Sequence, residues 1–274
     1  MTKMFLAALA LILPVPAIAD ELIVRGDRLF IPVEVGGEET EALLDSGAEV
    51  TIFDASFARR AGIAGGEEVV ARGTGASTTT ARLVEGSSIA VMGRPIALPV
   101  AAVMDLSDIE ARLVRSAVPV IAGRDIFDAG RLAIDVEAGL IRWLSEAEGA
   151  PGTRVSLSGA HGIETMPVDF GNGIIVPADF DLGNGTGLLI SSDLADRLGL
   201  EPVGVEPAGG IGGAVGRLVV YVPELTIAGK NFRHVRAHVV DDAQVPANIG
   251  VGLLRQFRIV TDFANGEVWL DPRD

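Results

Sequence analysis

Leu43-Leu44-Asp45-Ser46-Gly47-Ala48 ends an apolar, extended stretch in a tight glycine turn, and Phe180-Asp181-Leu182-Gly183-Asn184 does so again 136 residues later. The match extends well beyond the turns. Ile31-Pro32-Val33-Glu34-Val35-Gly36 precedes the first, and Met166-Pro167-Val168-Asp169-Phe170-Gly171 precedes the second. Phe57-Ala58-Arg59-Arg60-Ala61-Gly62 follows the first turn as Leu194-Ala195-Asp196-Arg197-Leu198-Gly199 follows the second. Each of these reads as a short helix, capped by Asp54 or by Ser191 or Ser192 and stopped by glycine. Ile89-Ala90-Val91-Met92-Gly93 then pairs with Leu225-Thr226-Ile227-Ala228-Gly229, and Gly123 to Gly139 pairs with Gly250 to Gly266 without a gap. Blocks repeated in one order mean that a single structural unit occurs twice.

The second copy is shorter before Gly250. The first fills that place with Ser107-Asp108-Ile109-Glu110, a capping-box pattern that predicts a short helix in the first copy alone. Gly- and Pro-marked turns between short runs of Val, Ile, Leu and Ala predict a mainly β chain. The expected organisation is a leader at 1–19, a first lobe at 20–145, a linker at 146–160 and a second lobe at 161–274. The leader reading rests on Lys3, the apolar run from Met4 to Val15, and Ala17-Ile18-Ala19 as a cleavage site after Ala19. It implies a periplasmic or secreted protein with no membrane attachment after cleavage. The chain has no cysteine, which excludes a disulfide framework and thiol chemistry. A formal net charge of −15 argues against nucleic acid and anionic membrane surfaces as partners.

An aspartate at the end of a strand, on a glycine turn, is rigidly aimed. Two such turns related by pseudo-symmetry can bring their carboxyls together. Facing carboxyls cannot easily both ionise, so one keeps a proton while its partner carries charge. The charged one can deprotonate water, and the protonated one can polarise a peptide carbonyl. Asp45 and Asp181 are therefore the candidate catalytic pair, with no metal and no cofactor required. Asp179 lies at the wrong spacing from the glycine. Asp135 and Asp262 are read as turn or ladder residues before a hairpin glycine. Asp241-Asp242 reads as a charged turn. His161, His234 and His238 do not form a convincing ligand set, and His234 and His238 are expected at solvated strand positions.

Leu43-Leu44-Asp45-Ser46-Gly47-Ala48 and Val120-Ile121-Ala122-Gly123-Arg124-Asp125 resemble two signatures of the retropepsin-like aspartic proteases: the active-site Asp-Thr/Ser-Gly turn and the apolar-apolar-Gly-Arg-Asp segment beside it. The resemblance implies two pseudo-symmetric retropepsin-like β-barrel lobes in one chain, an acid-protease fold with short helices. It also implies that Ser46 and Gly47, with Leu182 and Gly183, hold the turns. Gly73-Thr74-Gly75 and Gly210-Ile211-Gly212 fall where the family carries substrate-covering flaps. The implied activity is an aspartic endopeptidase acting on peptide or unfolded protein as a monomer. The second copy departs from the pattern. Leu182 stands where the family has a hydroxyl that bonds across to the opposite loop. Ile249-Gly250-Val251-Gly252 lacks the Arg-Asp pair, and neither flap contains a tyrosine. These departures keep two alternatives open. One is an impaired relative that binds peptides or a protein partner without turnover. The other is a homodimer that pairs Asp45 across two chains.

Overall fold

The computed structural model describes residues 20–159 and 161–273. The expected leader lies outside the described residues. Among those described, no helix is long and apolar enough to cross a membrane.

The protein is mainly β and has two lobes. In the first, Arg28–Val35, Glu38–Leu44, Val120–Ala122, Ile52–Asp54, Arg94–Met104 and Thr78–Val91 lie side by side in that order. Thr78–Val91 also pairs with Arg28–Val35, so the sheet closes into a barrel. In the second, Thr165–Asp169, Ile175–Phe180, Ala247–Ile249, Leu188–Ser191, Lys230–Val240 and Gly213–Ile227 follow the same order. That barrel is closed by Asp169 against Thr226. The sequence repeat is thus a repeat of topology. It keeps the same mixture of parallel and antiparallel neighbours, including the parallel steps Leu43↔Ile121 and Asp179↔Asn248.

Alternation along these strands explains the packing. In Arg28–Val35, Leu29, Ile31, Val33 and Val35 face the main core, while Phe30 faces a second apolar cluster. The short helices follow their caps. Asp54 accepts from the N–H groups of Ser56 and Phe57, Ser191 accepts from that of Leu194, and both helices end at glycines with left-handed φ, Gly62 at 74° and Gly199 at 63°.

The helix expected only in the first lobe is present at Ser107–Ile109 and continues as a wider π turn over Glu110–Val114. Its capping differs from the sequence expectation. Ser107 makes no cap bond. Its N–H donates to Asp105 Oδ1, and Glu110 Oε1 accepts from the N–H of Val118. Leu106, Ile109 and Val114 from this segment seal the second apolar cluster.

A third sheet joins the lobes. Arg131–Asp135 pairs antiparallel with Phe257–Asp262, with Leu132↔Thr261 and Ile134↔Ile259 in register. Thr153–Ser156, inside the segment expected to be a linker, is a strand of this sheet, paired with Glu267–Pro272. The Gly- and Pro-rich text around it obscured a strand whose partner lies more than a hundred residues away. Asp135 and Asp262 are ladder residues, opposite Leu140 and Glu267. Above this sheet Phe127 stacks on Phe263 at 4.9 Å, and Phe180 meets Phe263 edge-on at 6.1 Å. This aromatic trio bridges the lobes directly beneath Asp181. Phe127→Ala is expected to cost about 3–5 kcal/mol. Chemical denaturation should show one transition at a lower midpoint, since the ring serves both lobes.

Candidate active site

Asp45 ends the strand Glu38–Leu44, and Asp181 follows Ile175–Phe180. The backbone aims both turns in the same way. Asp45 N–H donates to Ala122 O at 3.0 Å, and Asp181 N–H donates to Ile249 O at 3.0 Å. Gly47 N–H then donates to Asp45 Oδ1 at 2.9 Å, and Gly183 N–H donates to Asp181 Oδ1 at 2.9 Å. The turns interlock. A Cβ on Gly47 would stand 2.8 Å from Asp181 Cγ, and one on Gly183 would overlap the Asp45 carboxyl. Only glycine lets each carboxyl rest against the opposite turn, where the charge of Asp181 acts on Asp45.

One side chain braces the two turns. Ser46 Oγ donates to Phe180 O at 2.7 Å and accepts from Leu182 N–H at 2.9 Å. Leu182 has no hydroxyl to return the pair of bonds. Its side chain is fully buried and packs in the main core instead. The first turn is held further by Asp125, whose Oδ2 accepts from Thr51 N–H at 2.8 Å. Arg124 crosses to the second lobe and pairs with Glu164 at 2.7 Å.

The second turn lacks that Arg-Asp pair and uses two asparagines. Asn184 Nδ2 donates to Asn248 Oδ1 at 2.7 Å, and Asn248 Nδ2 donates to Asp181 Oδ2 at 2.8 Å. Asn184 N–H adds a bond to Asp181 Oδ1 at 3.0 Å. Asp181 thus receives donors on both oxygens, whereas Asp45 receives one from its own turn. Burial, and then the charge of Asp181, push Asp45 up to about 8, against the pull of Gly47 N–H and Arg28. Burial raises Asp181 too, but its larger donor set opposes the rise. The pair is therefore unequal, with the proton on Asp45 and the charge on Asp181. Both residues lie deep between the lobes yet keep partial solvent access.

Several residues near the pair were not singled out in the sequence. Asn248 occupies the place of Ile121, and nothing in an apolar-x-Gly pattern marks it. Arg28 lies against the second turn, where a Cβ on Gly185 would strike its guanidinium. Burial lowers its pKa, while Asp45, Asp181 and Asp27 support its charge. Asp179, set aside on spacing, bonds His161 Nε2 at 2.9 Å. Burial pushes Asp179 up to about 6, opposed chiefly by His161. The solvated strand position expected of His234 holds, and that of His238 is corrected. His238 is buried, and His161 is half-buried and engaged with Asp179. His234 stacks on Tyr221 at 4.3 Å, with a positive φ that breaks the strand alternation. No group of three or more metal-ligating side chains converges among the described residues.

The two glycine-rich tips meet above the site. Gly75 N–H donates to Ile211 O, and Ser77 N–H donates to Gly212 O, both at 2.9 Å. Thr74 lies against Gly210, and Gly73 against Ile211. Arg217 Nη2 donates to Thr74 O at 2.5 Å, and Arg112 Nη2 donates to Gly210 O at 3.0 Å. Each hairpin is thus held by an arginine from the other lobe.

Residues 31–118 match the family model for aspartyl protease, a span that includes the Asp45 turn and the first flap. That stretch of the first lobe is what the chain shares with retropepsin-like aspartic proteases. No curated protein matches the chain. The match supports a protease-like function, and the second lobe carries its own version of the turn.

Two measurements test this geometry. Ser46→Ala strips a donor from Phe180 O and an acceptor from Leu182 N–H, at roughly 1–3 kcal/mol for each buried group left bare. Thermal unfolding should show the loss in full, because no second hydroxyl shares the task. The raised carboxyls also predict a pH dependence. The folded state holds a proton on Asp45 up to about 8, whereas the unfolded chain releases it near 3.8. The native state binds more protons across that window, so stability falls as pH rises through it. Asp45→Asn should flatten the fall and be the more stable protein at pH 7, as read by denaturant midpoints at pH 4, 6 and 8.

Proposed function

We propose that the protein is an exported aspartic endopeptidase whose water is activated by Asp181 and whose substrate carbonyl is polarised by Asp45. The observation that carries this reading is the unequal donor set of the facing pair. Asn248, Asn184 and Gly183 favour the Asp181 carboxylate, and Asp45 is left holding the proton. A water between the carboxyls would give its proton to Asp181 as its oxygen attacks the peptide carbon. Asp45 would donate to the carbonyl oxygen to give a gem-diol; as the C–N bond breaks, the proton gained by Asp181 would pass to the leaving nitrogen and a gem-diol hydroxyl would return its proton to Asp45. This is general acid–base hydrolysis with both groups supplied by one chain. It favours the monomer over pairing of Asp45 between two chains. The joined flaps favour an extended peptide or unfolded segment as substrate. Export rests on the apolar leader and its Ala17-Ile18-Ala19 end.

A second reading has a specific observation behind it. Leu182 leaves the brace one-sided, which would suit a protein that binds peptides in the same cleft without cleaving them.

Cleavage of unfolded protein or a peptide library from pH 3 to 9 separates the two. The proposal expects a bell-shaped profile. Its acidic limb follows protonation of Asp181, and its alkaline limb lies near 8, where Asp45 loses its proton. Asp45→Asn and Asp181→Asn should each abolish turnover. A chain that cleaves nothing yet binds peptide equally well with both aspartates replaced is the binding protein. Activity that survives Asp181→Asn alone would point to the homodimer.

A further inference from the structure

The two barrels carry equivalent rows of side chains on the sheet face that holds each aspartate, and the rows differ in chemistry. Asp45 follows Leu43 by two residues, so both point to one face of the sheet. On that face the register runs Phe30↔Leu43↔Ile121↔Ile52↔Ala102↔Leu83. The corresponding row beside Asp181 runs Thr165↔Asp179↔Asn248↔Leu189↔His238↔Val219. Two residues before Leu83 stands Ala81, and two before Val219 stands Arg217. Between the lobes, two alanines have become Arg217 and His238.

Both are buried, Arg217 at 7 % and His238 at 6 % exposure. Arg217 meets no carboxylate among the described residues. Among the described residues it donates to Thr74 O of the opposite flap, and burial lowers its pKa. A buried guanidinium without a counter-ion is costly unless something anionic arrives. His238 Nε2 makes no hydrogen bond of ordinary length. Its one carboxylate neighbour among the described residues, Glu206, stands across the hairpin from Arg217, pairs with the imidazole only at 3.6 Å, and is engaged more closely with Arg236. The other acid of the row, Asp179, is taken by His161. The first lobe offers nothing comparable, since its row is apolar and sealed by Leu106, Ile109 and Val114.

We infer that Arg217 and His238 form a carboxylate-binding subsite on the second-lobe side of the cleft, so that the bound peptide is acidic at the position facing that lobe. This deepens the endopeptidase reading by naming a substrate class. The carboxylate could belong to an Asp or Glu side chain or to a peptide C-terminus. Arg217 makes charge-assisted bonds to it, and the imidazole supplies a further polar contact. Since Arg217 also holds Thr74, the same side chain links an acidic ligand to flap closure.

The test uses the mature chain carrying Asp45→Asn, so that binding is measured apart from cleavage. Fluorescent octapeptides with Glu, Gln or Lys moved through each position, with free or amidated C-termini, are titrated by anisotropy. At one position Glu should bind about ten-fold or more tighter than Gln, as one charge-assisted contact provides. Adding Arg217→Gln should bring that ratio close to one, and Arg217→Lys should keep part of it. The ratio cancels any general effect of the substitution on the flaps. A preference that follows the free terminus instead of the Glu position would assign the same subsite to a terminal carboxylate. Equal binding of Glu and Gln peptides with no effect of the terminus would overturn the inference, as would a preference that persists in Arg217→Gln. Failure of catalysis is read separately, as absence of cleavage by the chain with Asp45 intact.

Discussion

Each catalytic-type carboxyl rests on the α-carbon of the opposite lobe's glycine, and everything else in the molecule serves that contact. Gly47 and Gly183 are tolerable there only because they have no side chain. The barrels deliver the two turns, the shared sheet fixes the barrels relative to one another, and the aromatic trio fills the space beneath. A retropepsin assembles this arrangement from two identical chains. Here the two halves are covalently joined, so they are free to differ. The differences are concentrated at the site.

The inequality begins with Leu182. A symmetric brace would use two hydroxyls, and this protein uses Ser46 alone. Burying a leucine contributes roughly 1.5–3 kcal/mol, comparable with the hydrogen bonds it replaces, so the fold loses little. The carboxyls are polarised by a second difference. Asn248 in place of Ile121 gives Asp181 a donor that Asp45 lacks. The unequal surroundings of the two carboxyls are thus written into one strand position, well away from either aspartate in sequence.

The repeat made the fold legible because barrel topology depends on backbone pattern, which glycines, apolar alternation and turn residues record locally. The aspartates were legible for the same reason, being tied to Gly47 and Gly183 at fixed spacing. The flap tips were legible as glycine clusters, though their mutual hydrogen bonds were not, since backbone pairing between distant hairpins leaves no mark on side-chain type. Asn248, Arg28, Arg217 and His238 were missed because each sits on a strand whose local pattern reads as ordinary alternation. What makes them matter is the neighbour across the ladder. His238 was expected in solvent for that reason, and the strand Thr153–Ser156 was hidden in a linker-like stretch because its partner comes from the end of the chain.

The joined flap tips have a consequence for time as well as for shape. Two backbone bonds and two arginine bonds hold the roof shut. At about 0.5–1.5 kcal/mol net apiece, they set an open state that lies roughly 2–6 kcal/mol above the closed one. Such a state is present in only a few per cent of molecules at most, and in far fewer at the upper end. Folded surfaces that encounter the protein would mostly meet a locked door. On the proposed endopeptidase reading, a segment that stays extended long enough to be there when the roof lifts has the advantage, and the latch would select for persistence in the unfolded state before any side chain is read.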